Sequence, residues 1–107
     1  MNPIPLIAVA DPSEGVSVTA STYFRHLCPH KDEADEGRVT VSWMVADKTI
    51  ELHSLAAYFR GWASVKISNE NLTTAICDDL AKAGVYEITV KTTWQTAGME
   101  ITTEVSA

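Results

Sequence analysis

The chain has 107 residues, 46% of them hydrophobic, with eight basic against fourteen acidic side chains and a formal net charge of −6. That length fits one domain, and that apolar content fits a folded chain rather than a disordered one. The acidity argues against a polybasic surface that tracks phosphates, because such binding is driven by Lys and Arg, and the apolar start is far too short to cross a bilayer.

Residues 1–14 read as an N-terminal arm ahead of a single domain over 15–107, in a cytoplasmic protein with no membrane partner. Val16, Val18 and Ala20 alternate with Ser17, Thr19 and Ser21, the period of a strand. The stretch HLCPHKDEADEG at 26–37 is then expected as a polar loop. A second strand follows over roughly 38–46, with Val39, Val41, Trp43 and Val45 on one face and Thr40, Ser42 and Met44 on the other. Near Ser54 the period changes: Leu55, Phe59 and Trp62 predict a helix over about 52–64. A second helix over about 69–83 carries Leu72, Ile76, Leu80 and Ala83, capped by Ser68 or Asn69 and ended by Gly84. VYEITVKTTW and MEITTEV, either side of QTAG, predict a closing hairpin. The order β–β–α–α–β–β gives an α+β layer with both helices on one sheet face. The other face is expected to stay apolar and to be buried between copies of the chain.

Three readings compete for the 26–37 stretch. Cys28, beside Pro29, is a candidate nucleophile, since a thiolate attacks electrophilic carbon well; Asp35, seven residues on, is placed to take and return its proton. His26, Cys28, His30 and Asp32 offer N, S and O donors suited to zinc. A solvated acidic loop with an inert thiol accounts for the same letters. With no secretory signal, the two cysteines are expected as free thiols, Cys77 as helix packing. Glu51 and Glu70 bracket the first helix and read either as caps or, one of them, as a buried carboxylate gripping an N–H pair on a purine-like base.

Over about residues 22–83 the chain resembles the tunnelling-fold nitrile reductases of queuosine biosynthesis, the QueF family. Cys28-Pro29 with Asp35, the block ELHSLAAY at 51–58, Glu70 and Asp78-Asp79-Leu80 carry the likeness. Two lysines of the family's block are His53 and Ala56 here, a histidine before the family's base-binding glutamate is Asn69, and its Arg-Gly-Gly is Ala97-Gly98-Met99. Those departures remove the family's phosphate-holding cations, so the pattern looks nearest to the QueF-like amidinotransferases of archaeosine formation.

The resemblance implies a tunnelling fold whose sheets close into a barrel across subunits, in a ring or stacked rings. It implies that Cys28 adds to the nitrile of 7-cyano-7-deazaguanine, free or carried in transfer RNA, giving a thioimide while Asp35 moves protons. Glu70, Glu51, Ser54 and His53 would hold the substrate. Ammonia would then displace sulfur to give a formamidine, with no cofactor and no metal. The alternatives are an NADPH-dependent reductase and a module that binds a deazapurine without chemistry.

Overall fold

The computed structural model describes residues 4–10, 15–31 and 33–107. Four strands form one antiparallel sheet in the order β2-β3-β5-β6: β2 (Ser17–Leu27), β3 (Ala34–Met44), β5 (Tyr86–Thr96) and β6 (Met99–Ser106). Between its two hairpins lie α1 (Leu52–Arg60) and α2 (Asn69–Lys82), so the β–β–α–α–β–β α+β arrangement stands. Two three-residue strands, β1 (Ala8–Ala10) and β4 (Lys48–Ile50), make a second antiparallel sheet that the sequence does not announce. β1 falls inside the stretch expected as an arm; residues 1–3 and 11–14 of that arm lie outside the described residues.

The inner sheet face is built as the alternation predicts. Val39, Val41 and Trp43 are buried on β3, and Ile88, Val90 and Trp94 on β5, against Leu55, Tyr58 and Phe59 of α1 and Leu72, Ile76 and Leu80 of α2. Helix α1 ends at Arg60, with Gly61 as its C-cap, earlier than the periodicity suggests; Trp62 is buried from the turn beyond. Ser68 caps α2 by accepting the Asn71 N–H, and Gly84, at φ +97°, takes the left-handed conformation that follows the helix. Ala97 and Gly98 at φ 54° and 76° form the two-residue hairpin turn, a conformation that demands positive φ at both positions.

Two expectations are corrected here, the first in part. The 26–37 stretch is strand at both ends, since β2 runs to Leu27 and β3 starts at Ala34, in register from Ser17↔Met44 to Leu27↔Ala34; Cys28 to Lys31 and Glu33 belong to the connection, where the Cys28 N–H bonds the Glu33 carbonyl at 3.0 Å. The ladder satisfies the backbone whatever the side chains are, and the polar ones sit at the end of the sheet where water reaches them. The outer sheet face is not apolar either. Ser17, Thr19, Ser21, Thr40, Ser42, Thr89, Thr93 and Ser106 dominate it, with cross-strand hydroxyl pairs Ser21–Thr40 at 2.7 Å and Thr89–Ser106 at 3.2 Å. Tyr23 is its large exposed aromatic, with the Arg38 guanidinium 5.2 Å from its ring centre.

Gly37 sits opposite Trp94 in the β3–β5 ladder. A Cβ there would lie 2.4 Å from Trp94 Cε3 and 2.5 Å from the Thr93 carbonyl oxygen, so the indole covers the place a side chain would fill. Gly37→Ala is expected to cost about 1–3 kcal/mol through forced repacking, read as a lower urea midpoint together with a changed near-ultraviolet signal from Trp94. The Tyr58 hydroxyl donates to Asp79 Oδ2 at 2.6 Å and ties α1 to α2. Burial, then that bond, holds the phenol well above its ordinary range, so it stays neutral. Tyr58→Phe is expected to lower stability by about 1–2 kcal/mol, checked by the same urea titration.

Candidate active site at the end of the first hairpin

Two strands and one helix meet where β2 runs out. Leu27 is gripped on its outer edge by the segment ahead of α2: its N–H donates to Val65 O at 2.9 Å, and its carbonyl accepts from Ile67 N–H at 3.1 Å. This clasp brings Ser68, Asn69 and Glu70, at the start of α2, to the end of the hairpin. Side chains two apart on a strand share a face, as do directly paired residues across an antiparallel ladder. His26 and Asp35 are such a pair, so Asp35 lies on the face that buries His26 and that the next alternate position, Cys28, continues. Cys28 is half-buried and free; Asp35 has 22% of its side chain exposed.

His26 is the part of the site that local sequence leaves as a loop residue or metal ligand. It is 1% exposed, with its ring edge-on to Trp94 at a 4.7 Å centroid distance. Nδ1 lies 3.1 Å from the Leu27 carbonyl oxygen, and Nε2 lies 2.7 Å from Asn69 Oδ1 and 3.8 Å from Asp35 Oδ2. Asn69 is in turn fixed from behind. The Trp94 indole N–H donates to Thr92 Oγ1 at 3.0 Å, the Thr92 and Thr73 hydroxyls meet at 2.7 Å, and Thr73 donates to the Asn69 carbonyl at 2.7 Å. Each buried polar atom in that chain has a partner, which is what a dry core requires. Asn69 stands where the resembled family carries a histidine, and it is bonded here to an imidazole from β2.

The zinc reading loses its geometry. His26 faces inward, His30 is exposed, and Asp32 lies outside the described residues; among those described, no three His, Cys, Asp or Glu side chains gather as a metal site. Cys77 is free and buried, its thiol pushed up by burial and then by Asp78, as befits a packing residue.

The residues at the helix starts make contacts of their own within the chain. Glu51 caps α1: Oε1 accepts the His53 N–H at 3.0 Å and Oε2 the Ser54 N–H at 2.6 Å, while His53 Nδ1 lies 2.9 Å from Oε1. Ser54 donates to the Glu51 carbonyl at 2.7 Å and accepts the Ile7 N–H at 3.1 Å, so its hydroxyl is turned to structure. His53 is fully exposed, and so is Glu70 for the most part, on the first turn of α2. Neither glutamate is buried in the single chain, and Glu51 fills the cap reading offered for it. The bonds from His53 and Ser54 N–H hold Glu51 below the ordinary carboxylate range. A lowered native value adds stability above the unfolded value and loses it as pH falls through the native one. The difference in melting temperature between wild type and Glu51→Gln should therefore be largest near neutrality and shrink in acid below pH 4.5, followed by thermal melts across pH.

Beside the site, between β2 and α1, runs a groove of about 470 Å³ lined by Tyr23, Phe24, Arg25, Glu36, Gly37, Phe59, Arg60 and Ala63. Its floor is apolar, and it brings together two guanidinium groups that stand 35 positions apart in the sequence.

A four-stranded antiparallel sheet backed by two helices, with a thiol, a carboxylate and a buried imidazole at one hairpin end, defines a small α+β protein with polar groups gathered at the sheet's rim. The family profile described as QueF-like protein matches residues 34–107, and the chain belongs to that family. The matched span contains Asp35, Glu51 and Glu70, and Cys28 precedes it. Among similar curated proteins, the NADPH-dependent 7-cyano-7-deazaguanine reductase of Chlorobium luteolum is 42% identical over 77 residues, 70% of this chain and 66% of that protein. The protein of the same name from Chlorobaculum tepidum is 38% identical over 76 residues, covering 70% and 65%. That from Chloroherpeton thalassium is 34% identical over 85 residues, covering 78% and 72%. This chain thus spans slightly less than two thirds of the first two. The crystal structure of the archaeosine synthase QueF-Like in its apo form superposes with a TM-score of 0.80 over 91% of this chain and 95% of that one, at 19% identity, a likeness of fold.

These names overturn one expectation. A reaction without a cofactor was read from the missing lysines at 53 and 56, yet the curated relatives are named as NADPH-dependent. The missing cations were judged along the sequence, whereas the fold gathers Arg25 and Arg60 from separate elements into one groove.

Proposed function

We propose that the chain is a nitrile reductase acting on 7-cyano-7-deazaguanine as the free base, with Cys28 as nucleophile and Asp35 as proton carrier. The observation that carries this reading is the hairpin end, where Cys28 continues the face on which Asp35 is paired with His26. Support also comes from the names of relatives 34–42% identical. In the first step Cys28 Sγ bonds to the nitrile carbon and one C≡N π bond opens. The thiol proton passes to Asp35 and from there to the nitrile nitrogen, leaving a neutral thioimide. A half-buried thiol can both receive a planar base and be closed off from water by it. Glu70, exposed at the end of the clasped segment, is available to accept the paired N–H groups of a guanine-like edge, and that pairing would reject bases lacking both donors. Glu51, His53 and Ser54 contribute by fixing the start of α1.

The groove residues suit the cofactor in part: its floor is apolar enough for a flat ring, and Arg25 and Arg60 are charge-assisted donors to phosphates, with the Glu36 carboxylate, cross-strand from Arg25, offsetting one of those charges. Bound there, NADPH would supply hydride. The outer edges of β2 and β6 fit strand pairing between copies, which would extend the sheet and enclose the site. Ammonia transfer to a formamidine is the second reading; it shares every step up to the thioimide and is favoured by the replacement of both block lysines.

Intact-mass measurement with 7-cyano-7-deazaguanine is expected to show one adduct per chain, absent in Cys28→Ala and formed at least ~100-fold more slowly in Asp35→Asn. With NADPH present, the amine product should appear as NADPH is consumed. Formamidine formed from ammonium, with NADPH left intact, would replace reduction by ammonia transfer, and no adduct under any condition would leave a binding module.

A further inference from the structure

The proposed first step uses Cys28 and Asp35 and leaves unused the one titratable side chain buried beside them. His26 is 1% exposed, and its two nitrogens are held differently. Nδ1 faces the Leu27 carbonyl oxygen at 3.1 Å, and a carbonyl only accepts, so Nδ1 carries a hydrogen. Nε2 faces the Asn69 amide at 2.7 Å, with Asp35 Oδ2 3.8 Å away. An amide is a neutral partner that suits either state of Nε2: its oxygen accepts from a protonated ring, and after a half-turn its NH₂ donates to a bare one. Asparagine at 69 therefore lets the ring gain or lose a proton at Nε2 with no buried polar atom orphaned.

We propose that His26 is the proton reserve of Asp35, a positioning residue that acts on Cys28 through that carboxyl group; this deepens the nucleophile reading and rests on it. For the transfer the Asp35 carboxyl closes from 3.8 Å and takes the place of the Asn69 amide at Nε2; a proton then leaves the carboxyl oxygen and bonds to Nε2, giving carboxylate and imidazolium as a close ion pair. In the reverse direction the acid is restored beside the thiol. Asp35 meets solvent and His26 does not, so the reserve is filled through the carboxyl group. The surroundings of the ring isolate this exchange. β3 contributes Asp35, α2 the neutral Asn69, and β5 the Trp94 indole; Arg25 before His26, Glu36 after Asp35, Lys66 on the clasped segment and Glu70 next along α2 are adjacent charged positions in the chain. The Trp94–Thr92–Thr73 chain holds the Asn69 backbone through its carbonyl and leaves the amide to His26.

The test uses a generic electrophile, so it does not depend on the nitrile. The rate of Cys28 alkylation by iodoacetamide is followed against pH in the wild-type chain, His26→Gln, Asp35→Asn and the double variant, with thermal melts alongside. His26→Gln is expected to slow alkylation about tenfold near neutrality and to displace the pH profile. In the Asp35→Asn background the same change should alter the rate by less than about twofold, because the two residues act as one unit. A His26→Gln profile that superimposes on wild type overturns the proposal. So does an equal loss with and without Asp35, which would mark His26 as packing alone. Should His26→Gln not fold, Asn69→Leu keeps the ring and removes its adaptable partner; a displaced profile supports the proposal, and an unchanged one overturns it. A wild-type chain that forms no adduct with 7-cyano-7-deazaguanine sinks the nitrile reading while these alkylation rates still decide the role of His26.

Discussion

Two backbone hydrogen bonds at Leu27 decide where the chemistry can be. They fasten the segment 65–67 to the last residue of β2 and so fix the start of α2 over the end of the first hairpin. Neither bond depends on a side chain, so the geometry is set by the path of the chain and survives many substitutions nearby. Everything polar in the site follows from it. Asn69 reaches His26 because α2 begins within a residue or two of the clasp, and the carboxylate of Asp35 arrives from the other side through the β2–β3 register.

Beneath the site the core is polar where a small domain would be expected to be greasy. Thr73 and Thr92 are fully buried, and each finds its partners in the other and in Asn69 and Trp94. A satisfied network of this kind specifies one arrangement, since shifting any member leaves another unpaired at a cost of about 1–3 kcal/mol. Trp94 belongs to both halves of the design. Its N–H closes the network, and its ring lies on the bare backbone of Gly37, edge-on to His26 and tilted against Phe24. The aromatic packing and the proton-bearing groups are thus held by one side chain.

The strands with strict alternation, Val39 to Val45 and the closing hairpin, were legible because their period is written in consecutive residues. The two helices were legible from their stripes and caps. The end of the first hairpin was only half legible, because the acids at 35 and 36 mimic the loop before them while the ladder that makes them strand is a property of the strand they pair with. β1 and β4 are too short to carry a period. Cys28 and Asp35 could be singled out by spacing and resemblance. His26 could not be given its place, since the residue that defines it lies 43 positions away. The same blindness hid Arg25 and Arg60, which share a groove only once α1 folds beside β2. Glu51 shows the converse: the cap that its position suggested is the role its carboxylate fills.

The hydroxyl-lined outer face has a consequence for any assembly of this chain. A Ser or Thr side chain exchanges one set of hydrogen bonds for another when it leaves water, so covering that face releases little free energy. Cohesion between copies would have to come from main-chain pairing along the rims of the sheet. Such contacts are directional, and a slip of one position inverts which side chains meet. A particle held that way is selective about orientation and keeps a wettable interior, unlike one glued by an oily patch that tolerates many poses.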